Sequence, residues 1–170
     1  FLEGGKPKFP FISLIVSGGH TLLVLVEDYF QHRIIGTTVD DAAGEAYDKV
    51  AKLLGLGYPG GPAIDELART GDRNFHKFPL ANVKNSPSDF SFSGIKTSVL
   101  YFLRSVSEEK KKDEKFIADV CACFQEAVTE SLLKKTLNSA RKLDVRNIAV
   151  SGGVSANSEL KNKFLNLRNK

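Results

Sequence analysis

The chain has 170 residues, a formal charge of +4, 42% hydrophobic and 26% charged side chains, the balance of a globular protein with one or two small lobes. No apolar run approaches the ~20 residues of a membrane span, and no charged stretch leads into an apolar core as in a secretory leader. The basic excess permits a nucleic-acid partner without requiring one. The chain begins at Phe1 and contains no Met, so it reads as an internal piece of a longer protein.

Residues 1–10, with Gly4, Gly5, Pro7 and Pro10, read as a loop. Residues 11–26 predict a strand, a Gly-Gly turn and a second apolar strand. A third short strand follows near 33–39, with antiparallel pairing throughout. Thr38-Val39-Asp40-Asp41 has the form of a helix start, and the helix is expected to run to about Leu54, where Gly55 and Gly57 close it. Its apolar stripe is Ala43, Ala46, Val50, Leu53 and Leu54, and Asp41, Glu45, Asp48 and Lys52 share the opposite, wetter face. After the rigid turn Tyr58-Pro59-Gly60-Gly61-Pro62 a second helix spans about 62–70. Residues 72–92 read as loop, and a third helix spans about 95–106. A long helix over about 114–142 follows, with room for one interruption. The end of the chain reads as a strand at 147–150, a second Gly-Gly turn and a closing helix from about 156.

Cys121 and Cys123, two positions apart on a helix, point to roughly opposite faces and form no bridge. They are expected to be small buried residues in a reducing compartment. The run Lys110-Lys111-Lys112, flanked by Glu108, Glu109, Asp113 and Glu114, reads as a solvated loop. Lys161, Lys163, Arg168 and Lys170 read as a polar helix face rather than a phosphate contact. His20, His32 and His76 lack metal-ligand spacing, and Ser93-Gly94-Ile95-Lys96-Thr97 lacks the glycine and the residue order of a phosphate loop.

One phrase is written twice. Ile15-Val16-Ser17-Gly18-Gly19 and Ala149-Val150-Ser151-Gly152-Gly153 each end a strand at Val-Ser-Gly-Gly. A turn without side chains lets a ligand approach the backbone, whose free N–H groups suit an anion. The first turn, with Ser17 and His20, is either such a cradle or an ordinary hairpin turn. The second stands between a strand and a helix, where the turn amides and the positive helix end point the same way. Asn157 offers an amide to a base, sugar or acyl group. Asp48 is the best candidate on its helix for accepting bonds from ribose hydroxyls or an amine.

Five blocks in this order resemble the bacterial TsaD family of tRNA N6-adenosine threonylcarbamoyltransferases, formerly labelled O-sialoglycoprotein endopeptidases. They are Ser17-Gly18-Gly19-His20-Thr21, then Asp40 through Lys49, Tyr58-Pro59-Gly60-Gly61-Pro62, Asp89 through Thr97, and Ser151 through Asn157. The resemblance covers nearly the whole chain. It implies the two-lobed α/β fold of actin, Hsp70 and the sugar kinases, in part, with a segment of the first lobe at 1–60 and a mostly helical second-lobe segment at 61–170. It implies transfer of a threonylcarbamoyl group from threonylcarbamoyl-adenylate to N6 of the adenosine 3′ of the anticodon in tRNA. Ile15, Val16, Ser17, Gly18, Gly19, Asp48, Gly61 and Asn157 match the family's adenylate-binding positions, and His20, Gly152 and Gly153 are additional candidates. A divalent metal, iron or zinc, is implied with ligands outside these residues, so the piece alone is expected to be inactive. Also implied are a paralogous pseudo-enzyme subunit, a small ATPase subunit and a cytoplasmic location. An ATP-dependent kinase or ATPase of the same fold and a non-catalytic scaffold subunit are the rival readings.

Overall fold

Phe11–Val16 forms strand β1, an unbroken run of apolar and β-branched residues apart from Ser13, and it is buried along almost its whole length. The turn after it closes on itself. The Ser17 N–H donates to the His20 carbonyl at 2.8 Å, and the His20 N–H to Ser17 Oγ at 3.0 Å. The chain then returns as β2 (Thr21–Val26), turns again, and runs as β3 (His32–Thr37). The fourth strand, β4 (Asn147–Ser151), lies parallel to β1 on its other side. The sheet order is therefore β3-β2-β1-β4, antiparallel except for the β1–β4 pair. The computed structural model describes residues 8–79 and 83–169, so the loops expected at 1–10 and 72–92 lie partly outside the described residues.

The register pairs Leu14 with Val150 and Ile15 with Ser151. Both Val-Ser-Gly-Gly phrases thus leave the sheet at the same edge, side by side. Gly152 has φ +95°, a region that L side chains rarely adopt. A Cβ there would collide with the Val16 carbonyl, so only glycine lets the second turn leave beside the first.

Helix α1 spans Ala43–Leu53, later than the expected start at Thr38–Asp41. The local cap is displaced by partners distant in sequence. Thr21 Oγ1 accepts the Ala43 N–H at 2.9 Å and the Ser17 carbonyl accepts the Gly44 N–H at 3.2 Å. Thr38 Oγ1 instead donates to the Asp41 carbonyl. Asp40 is taken by the third helix, α3 (Ser93–Arg104). Its carboxylate accepts the Phe92 N–H at 2.7 Å, the Ser91 hydroxyl at 2.6 Å, and both the N–H and hydroxyl of Ser93 at 3.2 and 2.8 Å. These bonds start α3 two residues earlier than expected, and a carboxylate is favoured there by the helix dipole. Leu53, placed in the apolar stripe, is 37% exposed, whereas Tyr47 and Ala51 are buried. The stripe is rotated because α1 packs on α3 and on the next helix at once.

That helix, α2 (Gly60–Ala68), also begins two residues early, with Asp48 Oδ1 accepting the Gly60 N–H at 2.8 Å. Helix α4 (Glu114–Lys142) runs unbroken for 29 residues. It contains no Gly or Pro to interrupt it, and Asp113 caps it by accepting the Lys115 N–H at 2.9 Å. A 3₁₀ turn at Gly153–Ala156, helix α5 (Ser158–Leu165) and a last 3₁₀ turn at Asn166–Asn169 complete the described chain. Lys163 is turned back onto Glu126 and Glu130 of α4, Arg168 lies past the end of α5, and Lys170 lies outside the described residues. The segments expected at 1–60 and 61–170 share this one sheet and one core.

Cys121 and Cys123 are both buried. Burial pushes the Cys121 thiol up to about 12. Cys123 does more than pack: its sulfur accepts the His76 N–H and donates to the Asp72 carbonyl, tying the 72–76 loop to α4. Among the described residues no helix is long and apolar enough to cross a membrane.

Two outcomes follow. Gly152→Ala should destabilise the fold by about 2–3 kcal/mol, from the left-handed backbone and the clash together, as read by urea denaturation. Burial pushes Asp40 up, but the bonds from Ser91, Phe92 and Ser93 outweigh it and hold the carboxyl below its ordinary value. A carboxyl lowered in the fold stabilises above its unfolded pKa of about 4 and loses that contribution as pH falls through the lowered value. Asp40→Asn should therefore flatten the acid limb of the stability–pH curve below pH ~4 while lowering stability at neutral pH.

Candidate functional site

Where the two Gly-Gly turns meet the start of α2 the surface folds into a cleft of about 420 Å³, within the range of small-ligand sites. Four parts of the chain line it: Gly18 from the first turn; Gly44, Tyr47 and Asp48 from α1; Tyr58, Pro59, Gly61, Pro62 and Asp65 around α2; and Gly153, Val154, Ala156 and Asn157 from the second turn. Of the residues expected from sequence, Gly18, Asp48, Gly61, Gly153 and Asn157 come together here. Ile15, Val16, Ser17, Gly19, His20 and Gly152 are not among the lining residues.

Their placement has local causes. Val16 is fully buried in the core. Ser17 spends its N–H and hydroxyl on His20 and its carbonyl on Gly44, which makes it the brace of the hairpin turn. Gly152 is pressed on β1. By contrast, a Cβ added at Gly18, Gly61 or Gly153 would meet nothing within 4 Å. These three glycines offer bare backbone to open space, the surface on which a ligand can approach peptide groups closely.

Gly44 is the residue that sequence reasoning passed over. A Cβ on it would lie 2.7 Å from both Gly18 Cα and the Ser17 carbonyl. Its bareness lets α1 abut the first turn, and so sets Asp48 one helical turn away on the cleft wall.

Two kinds of group line the cleft. Asp48 presents a carboxylate, already anchored on the Gly60 N–H; carboxylates only accept hydrogen bonds, so it suits hydroxyls or an amine. Gly18, Gly61 and Gly153 present backbone without side-chain charge, which suits an anionic group. Tyr58, Pro59, Pro62, Val154 and Ala156 add apolar surface.

Three of the lining residues, Tyr47, Asp65 and Asn157, also belong to a buried junction. Asp65, 9% exposed, accepts the Ser158 N–H at 3.2 Å and the Ser158 hydroxyl at 2.7 Å, and pairs with Arg69 at 3.6 Å. Asn157 caps α5 by accepting the Leu160 N–H at 3.0 Å. The Tyr47 ring packs edge-on against Phe124 at 5.1 Å, and burial holds its phenol well above the ordinary tyrosine value. The sequence carried a signal for Asp65, which lies four residues after Gly61 and so on the same helix face. Tyr47 carried the same kind of signal, four residues after Ala43 and three before Val50 on the apolar side of α1. Among the described residues no group of three or more His, Cys, Asp or Glu could hold a metal ion.

A family model described as TsaD, tRNA N6-adenosine threonylcarbamoyltransferase, matches residues 1–170. Curated proteins named tRNA N6-adenosine threonylcarbamoyltransferase are similar throughout. That of Chloroherpeton thalassium is 52% identical over 93% of this chain and 47% of its own length. That of Chlorobium luteolum is 54% identical over the same shares, and that of Thermotoga neapolitana 53% over 96% of this chain and 48% of its own. The chain thus spans about half the length of the curated relatives it matches. Among solved structures, HypF of T. kodakarensis superposes with a TM-score of 0.57 at 20% identity, over 82% of this chain and 17% of that one. That likeness shows the fold alone, and with the mixed sheet it bears out the actin- and Hsp70-like α/β class, present in part.

Replacing Asp65 by Ala strips Ser158 and Asn157 of a buried acceptor. Thermal or urea denaturation should show a loss of about 2–4 kcal/mol, with Asp65→Asn, which keeps one acceptor oxygen, losing less.

Proposed function

The chain belongs to the TsaD family, the tRNA N6-adenosine threonylcarbamoyltransferases, and we propose that its cleft holds threonylcarbamoyl-adenylate for transfer of the threonylcarbamoyl group to N6 of the adenosine 3′ of the anticodon in tRNA. The observation that carries this reading is the convergence of both Val-Ser-Gly-Gly turns, through Gly18 and Gly153, with Asp48, Gly61 and Asn157 on one cleft. The combination of the Asp48 carboxylate with bare glycine backbone in the lining supports it. Asp48 would accept from the ribose hydroxyls, while the Gly18 and Gly153 backbone would lie against the phosphate.

In the reaction the adenosine N6 attacks the carbonyl carbon of the mixed anhydride. The bond from that carbon to the phosphate oxygen breaks, AMP leaves with the electron pair, and N6 gives up a proton. This chain's part is to hold the adenylate in one orientation and keep the carbonyl open to attack, which by itself accounts for a large share of such rate gains. The divalent metal, iron or zinc, would polarise a carbonyl. The described residues offer it no ligand cluster, so we assign its ligands to parts of the relatives that this chain does not span and route no step through it. The tRNA acceptor, a cytoplasmic setting, and a paralogous pseudo-enzyme subunit and small ATPase subunit as partners complete the proposal.

Titration of the ¹⁵N-labelled chain with a hydrolysis-resistant threonylcarbamoyl-adenylate analogue tests this reading. The amides of Gly18, Asp48, Gly61 and Gly153 should shift, and Asp48→Asn should bind about tenfold more weakly, as expected for losing a charged acceptor. Shifts confined to other surfaces, or none, would overturn the assignment. The chain alone, given adenylate and tRNA, should form no N6-modified adenosine by mass spectrometry, and turnover would sink the metal assignment.

A further inference from the structure

Gln125 lies on α4, 4% exposed, and does not line the cleft. Yet it makes the shortest contact to a residue that does. Asn157 Nδ2 donates to Gln125 Oε1 at 2.6 Å and to Asp65 Oδ1 at 3.1 Å, with the Tyr47 hydroxyl at 3.5 Å. Asn157 Oδ1 accepts the Leu160 N–H at 3.0 Å.

Donor and acceptor logic leaves one arrangement. A backbone N–H only donates, so it must face the Asn157 oxygen. A carboxylate only accepts, so Asp65 must face the Asn157 nitrogen. Gln125 meets the same nitrogen and must therefore present its oxygen. Both Asn157 N–H groups are thus spent inward, and the amide that the sequence offered to a ligand is turned away from it. Asn157 also caps α5, and Asp65 also holds Ser158. The junction consequently ties α1, α2, α4 and α5 together at one point, under the segment Gly153–Asn157.

We propose that Gln125 is a positioning residue for the cleft: from inside α4 it locks the Asn157 amide against Asp65 and so fixes the Gly153–Asn157 segment that lines the cleft together with Asp48 and Gly61. As a statement about ligand affinity it rests on the adenylate reading above. Without Gln125 one Asn157 N–H would keep only the Tyr47 hydroxyl at 3.5 Å, and the amide would turn toward the open cleft to recover a closer partner.

The test uses the whole 170-residue chain with AMP as probe. In the wild type the Asn157 side-chain NH₂ should exchange with solvent at least about tenfold more slowly than an exposed Asn side chain. Gln125→Leu, similar in size but without an acceptor, should abolish that protection and weaken AMP binding about tenfold, the loss expected for one unpaired buried group. Asn157→Ser keeps a capping oxygen and lacks the amide. In that background Gln125→Leu should weaken AMP binding less than twofold, because its target is gone. A Gln125 that merely packs would leave the Asn157 exchange unmoved and give additive losses, and either result overturns the proposal. If Gln125→Leu does not fold, wild-type exchange decides, since an Asn157 side chain exchanging like a surface one rules the lock out. Failure of the wild type to bind AMP overturns the adenylate reading instead, and the lock is then judged on the Asn157 exchange alone.

Discussion

Everything at the cleft depends on how closely β4 can lie beside β1 where both strands end. The parallel register brings Gly152 onto the Val16 carbonyl. Any side chain there would force the second turn outward and carry Gly153, Val154, Ala156 and Asn157 with it. The first turn is held to the same standard on its other side, where Gly44 sits against Ser17 and Gly18. Two bare contacts, one on each flank of β1, therefore position three of the four parts of the cleft lining.

The helices are then placed by hydrogen bonds from residues distant in sequence. Thr21 starts α1, Asp48 starts α2 and Asp40 starts α3. Each uses an oxygen to satisfy an amide that a helix start leaves open. Because those bonds also join elements, the caps act as joints. Asp48 shows the economy of this best, since the carboxylate that anchors α2 is itself on the cleft wall.

Much of the secondary structure was legible because it rests on local pattern. The apolar run of β1, the hairpin, the Gly-free length of α4 and the closing glycines after α1 each announce themselves over a few residues. The helix starts were not legible to the same degree. Thr38-Val39-Asp40-Asp41 has the local form of a cap, but Asp40 bonds residues 51 to 53 positions away, and no local rule sees that. For the cleft, Asp48, Asn157 and the glycines with a stated chemical use were found, whereas Gly44, Tyr47, Asp65 and Gln125 were missed. Their roles are negative space and buried bonding, and both depend on which helix lies opposite. The two copies of the double phrase are neighbours at the ends of β1 and β4, and only one glycine of each lines the cleft.

The β1–β4 pairing also sets an order of events in synthesis. Phe11 pairs with Asn147, so all of the residues between them must be made before β1 gains its second neighbour. Contacts so distant in sequence form late and slowly. Until then the sheet has only its antiparallel strands, the second Gly-Gly turn has nothing to lean on, and Asp65 has no Ser158 to hold. A cleft assembled across that span cannot exist on a nascent chain that lacks β4. Ligand binding at this site is in that sense a report that the described chain has folded through to α5.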